Sequence, residues 1–236
     1  MIKGIYFISQ NLGYKQKNME VVANNLANIN TTGFKRELPF AEIMSRIADA
    51  PVKHLTDFSQ GNLLLTSNPL DLAVSGEAYF TLKNDKGGVE YSRNGRFRIS
   101  DEGFLVNEQG LKVLGRKGEI DLSDYSLDQQ QNISVSKSGE IKIGDNVVDE
   151  LQISRLDDPA MLQRKEGLNF TEVDGPAKDA EPESYEIQQG YLEESNTNAI
   201  IEMQSMIDLN KDFESAQKMM NFLDESLAKA TEIGRY

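Results

Sequence analysis

The chain has 236 residues, with 38 acidic against 25 basic side chains and a formal net charge of −13. That balance argues against duplex nucleic acid and anionic membrane surfaces, which are gripped by Lys and Arg displacing counterions. With 39% hydrophobic residues the chain can build a globular core of one large or two modest domains, which excludes wholesale disorder.

The first predicted element is a long helix over 3–28. Its apolar residues fall at Ile5, Ile8, Leu12, Met19, Val22, Leu26 and Ile29, in alternating steps of three and four with Lys15 as the one polar interruption, which is a heptad seam. Asn30-Thr31-Thr32-Gly33 should end it, because Asn and Thr compete for the backbone and Gly33 can take a positive φ. Residues 34–66 lose the pattern, with Pro39 and Pro51 flanking a possible short helix at 40–48, and read as a connector.

Short strand candidates follow at 70–74, 78–83, 89–93, 96–99, 104–107, 112–114, 119–122, 133–135, 140–143 and 151–156. They are separated by Asn94-Gly95, Asp101-Glu102-Gly103, Gln109-Gly110, Ser138-Gly139, Gly144-Asp145-Asn146 and similar turn chemistry. The middle is therefore an antiparallel β domain. Residues 173–184, holding Pro176, Pro182, Asp174, Asp179, Glu181 and Glu183, read as a solvated loop.

A second helix is predicted from near Asn196 to about 231. Asn196-Thr197-Asn198 supplies capping oxygens, and Glu202 lies where a carboxylate suits the helix dipole. Its stripe is Ile200, Met203, Ile207, Phe213, Met220, Leu223, Leu227 and Ala230, with Asn210 and Gln217 near the seam. Seam-forming helices at both ends of a β middle predict an α+β fold, with paired N- and C-terminal coiled-coil-type helices and a central antiparallel all-β domain. The expected parts are 1–33 (helix), 34–66 (connector), 67–188 (β domain) and 189–236 (helix).

Little in the chain suggests catalysis. The single histidine, His54, stands in the connector, so neither a His-type triad nor a His-rich metal site can be assembled. Cysteine is absent, which removes thiolate nucleophiles, sulfur ligands and disulfides together. The glycines are scattered turn residues and form no phosphate-cradling loop. A glycosidase-like carboxylate pair needs only two spaced acids, yet none is marked out. Asp71, after Asn68-Pro69, reads as a turn residue bonded to backbone N–H groups. No catalytic residue, cofactor or metal is expected. No apolar run approaches the roughly 20 residues that span a bilayer, and residues 1–16 offer only Ile5-Tyr6-Phe7-Ile8 where a secretory signal needs more.

Three blocks in order resemble the bacterial flagellar rod and hook family. The first is Ala23-Asn24-Asn25-Leu26-Ala27-Asn28-Ile29-Asn30-Thr31-Thr32-Gly33-Phe34-Lys35. The second is Ser67-Asn68-Pro69-Leu70-Asp71-Leu72-Ala73-Val74-Ser75-Gly76, followed by Tyr91-Ser92-Arg93-Asn94-Gly95-Arg96-Phe97. The third is Gln189-Gly190-Tyr191-Leu192-Glu193-Glu194-Ser195-Asn196, then Glu202-Met203 and Met206-Ile207. Hook proteins carry an extra outer domain, so the length resembles a rod subunit, and the compact middle and the tail resemble proximal-rod members more than distal-rod ones. Lys211-Asp212 departs from the family, which more often shows basic residues there.

The resemblance implies a structural subunit, not an enzyme, that polymerises through its terminal helices into the hollow torque-transmitting shaft of the basal body. It implies identical copies and other rod proteins as partners, and export by the flagellar type III apparatus without a cleaved signal. The seam residues listed above, with Asn24, Asn25, Asn28, Gly33 and Phe34, are the expected assembly interface. The clustered asparagines are expected to make contacts completed only on assembly, and the terminal segments to be poorly ordered in the free monomer. A soluble adhesin or binding module would share this plan, but it would bind ligand through the isolated middle.

Overall fold

A computed structural model describes residues 2–39, 55–84, 86–123, 133–155, 162–165, 168–172, 178–181 and 184–233. His54 and the possible helix at 40–48 lie outside them. The chain is α+β, with two long terminal helices and an antiparallel β middle. It divides into two compact units. One comprises Met1–Ile29, Arg36–Asp57 and Thr197–Tyr236, the other Asn30–Lys35 and Phe58–Asn196.

In the first unit, α1 (Ile2–Ala27) packs against α2 (Ala199–Ile233). The pair is antiparallel. A Cβ on Gly4 would lie 3.7 Å from Leu223 Cδ1, Lys15 Nζ stands 2.6 Å from Asp212 Oδ2, and Asn25 Nδ2 donates to Glu202 Oε2 at 3.4 Å. Eleven residues forward along α1 are thus met by eleven backward along α2, and the next ten by ten. The α1 stripe faces inward as its period requires. Val22 is fully buried, while Ile5, Ile8, Leu12, Lys15, Met19 and Leu26 are half-buried.

The α2 stripe needs a correction in its first turns. Ile200, Met203 and Ile207 point outward, Ile200 being 74% exposed. The inward row is Glu202, Met206, Leu209, Phe213, Ala216, Met220, Leu223 and Leu227, itself spaced by alternating fours and threes. An apolar-only reading skips this row because it opens on a carboxylate, and burying that carboxylate sets the rotation of the helix. Asn198 caps α2 as expected, its Oδ1 accepting from Ile200 N at 3.0 Å.

The second unit holds the strands. A central antiparallel sheet runs in the order β15 (Leu162–Arg164), β16 (Phe170–Glu172), β6 (Val89–Ser92), β5 (Tyr79–Lys83), β9 (Lys112–Gly115), β8 (Leu105–Asn107), β7 (Phe97–Ile99). On it, β10 (Gly118–Glu119) pairs with β9, β14 (Ile153–Arg155) with β5, and β17 (Lys178–Asp179) with β14. A three-stranded sheet takes β11 (Ile133–Val135), β12 (Glu140–Ile143) and β13 (Asn146–Glu150). Two ribbons complete the unit. β3 (Leu63–Leu65) pairs with β19 (Tyr191–Glu193), and β4 (Leu72–Gly76) with β18 (Tyr185–Gln189).

Inward residues of these strands form the core, where Phe80 meets the edge of Phe97 at 5.0 Å, with Leu82, Val113, Ile141, Leu151 and Ile187 around them. Several strands escape the sequence pattern. β13 begins at the expected turn residue Asn146, β17 lies inside the acidic segment read as loop, and β18 and β19 occupy 185–193, where no strand is predicted. Their runs are short and mixed with charged and amide side chains, so alternation alone does not mark them. Asp71 is buried, but its carboxylate accepts from the side chain of Asn68 (3.0 Å) instead of the expected backbone donors.

One buried acid in this unit gives a pH prediction. Burial alone would raise the Glu90 carboxyl, but hydrogen bonds from Lys165 (2.7 Å), Asn84 (3.1 Å) and Asn169 (2.9 Å) outweigh it and hold the group below its ordinary 4.5. Bonds from Lys112 and Lys83 lower Glu119 in the same direction. A carboxyl lowered in the folded state contributes stability that is fully present above its unfolded value and lost as pH falls through the folded one. Urea midpoints should therefore hold steady down to about pH 5 and fall below about 4.5, and Glu90→Gln should flatten that fall.

Candidate assembly interface

The signature residues are placed by two internal locks, one in each unit. In the first unit, Asn25 is buried and uses its side chain like a strand neighbour. Its Oδ1 accepts from Glu37 N at 2.9 Å, and its Nδ2 donates to Glu37 O at 2.8 Å. This fixes β1 (Glu37–Leu38), which pairs with β2 (Leu55–Thr56). Arg36 Nε donates to the fully buried Glu202 at 2.5 Å. A buried carboxylate is tolerable only when paired and hydrogen-bonded, so Glu202 can face inward only where Arg36 and Asn25 meet it.

In the second unit, Glu193 is buried between two cations. Its Oε1 accepts from Lys35 Nζ at 2.5 Å and from Gly61 N at 2.9 Å, and its Oε2 accepts from Arg93 Nη1 at 3.2 Å. Lys35 also donates to Ser59 O at 2.7 Å, and Arg93 to Val74 O at 3.0 Å and Gly76 O at 2.5 Å. The Arg93 guanidinium lies 4.8 Å from the centre of the Tyr79 ring. Burial pushes the Tyr79 phenol up to about 12, with Arg93 opposing. Beside this cluster Phe34 is buried under the Arg164 guanidinium at 4.5 Å, and Arg164 Nη2 donates to Lys35 O.

Gly33 has the expected positive φ of 70°, but it does not cap α1. Its N–H donates to Glu193 O at 2.7 Å, and a Cβ there would lie 2.4 Å from Asn94 N. Only glycine lets the backbone approach so closely at this dihedral.

The predicted interface residues therefore divide into three groups: internal, half-buried and exposed. Val22, Asn25, Gly33 and Phe34 are internal to the subunit, and Ile5, Ile8, Leu12, Met19, Leu26, Phe213, Met220, Leu223 and Leu227 are half-buried along the helix pair. Ile29 is half-buried, Asn24 is exposed, and Asn28 donates back to Asn24 O at 2.9 Å. Ile200, Met203 and Ile207 are exposed, and so are Tyr6, Phe7, Tyr14, Ile201, Met219 and Phe222, which a seam search passes over because they lie off its stripe. Phe7 is 72% and Phe222 69% exposed. By the antiparallel register, Tyr6 and Phe7 stand level with Met219 and Phe222.

Among the described residues no group of acids and histidine is arranged to hold a metal ion, and no helix is long and apolar enough to cross a membrane. Residues 13–35 match the family model for flagella basal body rod proteins, 73–143 that for the flagellar hook protein FlgE/F/G D1 domain, and 188–233 that for the flagellar basal body rod FlgEFG protein C-terminal region. The flagellar basal-body rod protein FlgF of Caulobacter vibrioides is 33% identical, over 92% of this chain and 91% of its own. FlgF of Rhizobium meliloti is 28% identical over 98% of each, and FlgG of Buchnera aphidicola subsp. Schizaphis graminum is 27% identical over 99% of this chain and all of its own. With its signature residues locked as described, and with relatives matched from end to end, this chain belongs to the flagellar basal-body rod protein family, as a structural subunit of FlgF-like type.

Proposed function

We propose that the subunit joins identical copies and other rod proteins through the outward faces of α1 and α2, building the hollow shaft that carries torque, at an FlgF-like, proximal position. The supporting observation is that the helix pair has already filled its inner face, yet leaves Tyr6, Phe7, Met219 and Phe222 in water at one level and Ile200, Ile201, Met203 and Ile207 at another. A lone subunit has no reason to hold so many large apolar side chains in water. Covering each contributes on the order of 1 kcal/mol, at about 25 cal/mol per Å². The coiled-coil reading belongs to the same proposal, as does export through the flagellar type III apparatus without a cleaved signal. Helices of this kind are marginal without packing, so the free chain should gain helix content on docking.

The test is the full-length chain carrying Phe7→Lys and Phe222→Lys. Monomer stability should change by no more than about 0.5 kcal/mol, as for other surface substitutions. Concentration-dependent association in sedimentation, and recovery of a tagged copy in purified basal bodies, should both be lost. Association at wild-type levels would refute the helix-face reading.

A further inference from the structure

The exposed apolar residues are not confined to the helices. In the strand-bearing unit, Leu64 and Leu65 on β3 are 46% and 60% exposed. β3 lies at a rim, since its only pairing among the described residues is with β19. Thr66 N donates to Gly190 O and Glu194 N to Asn62 O, both at 2.8 Å, so alternate residues Asn62, Leu64 and Thr66 turn their backbone groups toward that neighbour. By the alternation of an antiparallel ladder, the N–H and C=O of Leu63 and Leu65 turn the other way. They meet no partner among the described residues.

Free rims invite other strands, and proteins ordinarily blunt them with charge. Two other rims follow that rule: β7 carries exposed Arg98, and β17 is the exposed pair Lys178-Asp179. Around β3 no charged residue occurs from Phe58 to Leu70, in a chain where 27% of residues are charged. We infer that the outer edge of β3 is a docking edge that accepts an extended segment of a second copy of this chain by strand addition.

Two observations select a second copy as the occupant. Copies each bearing −13 repel one another over most of their surfaces, and an uncharged strip is where they approach at least cost. The strip is also small. Two leucines and a few main-chain bonds bury far less than the roughly 1,000 Å² of an independent interface. Such an edge suits a neighbour that other contacts already hold close, where the second contact is effectively intramolecular. The inference thus rests on the helix-mediated assembly proposed above and adds a contact to it.

The test compares full-length wild type, the Leu64→Lys/Leu65→Lys variant and the Phe7→Lys/Phe222→Lys variant, by sedimentation and by amide hydrogen exchange in dilute and associated samples. In the associated wild type the amides of Leu63 and Leu65 should exchange at least about tenfold more slowly than in the monomer, as for newly paired strand amides. The leucine variant should keep the monomer's thermal midpoint and raise the concentration for half-association about tenfold, a difference of about 1.4 kcal/mol. Unchanged exchange at Leu63 and Leu65 in associated wild type, or wild-type association of the leucine variant, overturns the docking edge and leaves the helix reading standing. Association that survives the helix variant while the β3 amides become protected sinks the helix reading instead. A wild-type chain that stays monomeric at every concentration overturns the docking edge.

Discussion

Glu193→Gln is expected to cost about 3–5 kcal/mol of unfolding free energy, the range for breaking a buried ion pair by removing one partner. The carboxylate is fully buried and is the anion between Lys35 and Arg93, both also buried. The amide has the same shape and can still accept from Gly61 N, so packing is preserved and only the charge is lost. An ammonium and a guanidinium would then share a low-dielectric site without the Glu193 charge between them, which is costly. Urea denaturation measures the loss. Adding Lys35→Met to Glu193→Gln should recover part of it, because one of the stranded cations is gone. A loss below about 1 kcal/mol, the scale of an exposed pair, would mean that solvent reaches the cluster in solution.

Gly95→Ala is expected to cost more than about 3 kcal/mol, beyond the usual range for overpacking because the obstacle is main chain. A Cβ on Gly95 would lie 1.7 Å from Leu72 O and 2.9 Å from Phe80 Cε2. Neither side can retreat easily. Leu72 N donates to Gly95 O at 2.9 Å, and β4 is held on its other side by five residue pairs with β18. Gly13→Ala provides the opposite sign. Gly13 is exposed on α1, a Cβ there meets nothing within 4 Å, and alanine in a helix interior should stabilise by up to about 1 kcal/mol. Thermal midpoints of the two variants should move in opposite directions. A shared direction would contradict the geometry at Gly95.

The α1 seam is legible in the sequence because the period of a half-buried helix survives one polar interruption at Lys15, which Asp212 meets across the pair. The early α2 turns are not legible. Their inward row opens on Glu202, whose burial depends on Arg36 and Asn25 far back in the chain, so a search for apolar residues selects Ile200, Met203 and Ile207 on the opposite face. Similarly, Glu193 and Arg93 stand in the quoted family blocks, yet nothing in their spacing reveals that they share a buried site with Lys35. Pairing charges across 100 and 158 residues is a product of topology.

By itself the sequence determined what local physics controls: two terminal helices, the Asn198 cap, the positive φ at Gly33, a β middle punctuated by turn residues, and through three ordered blocks the family. Tertiary structure alone decided which face of α2 turns inward, that Asn25 and Phe34 are internal, that 185–193 forms strands, and that β3 pairs on one side only among the described residues. Helical and turn preferences act over a few residues and leave a periodic trace. The burial of a charge or the exposure of a strand edge depends on what the rest of the chain brings beside it.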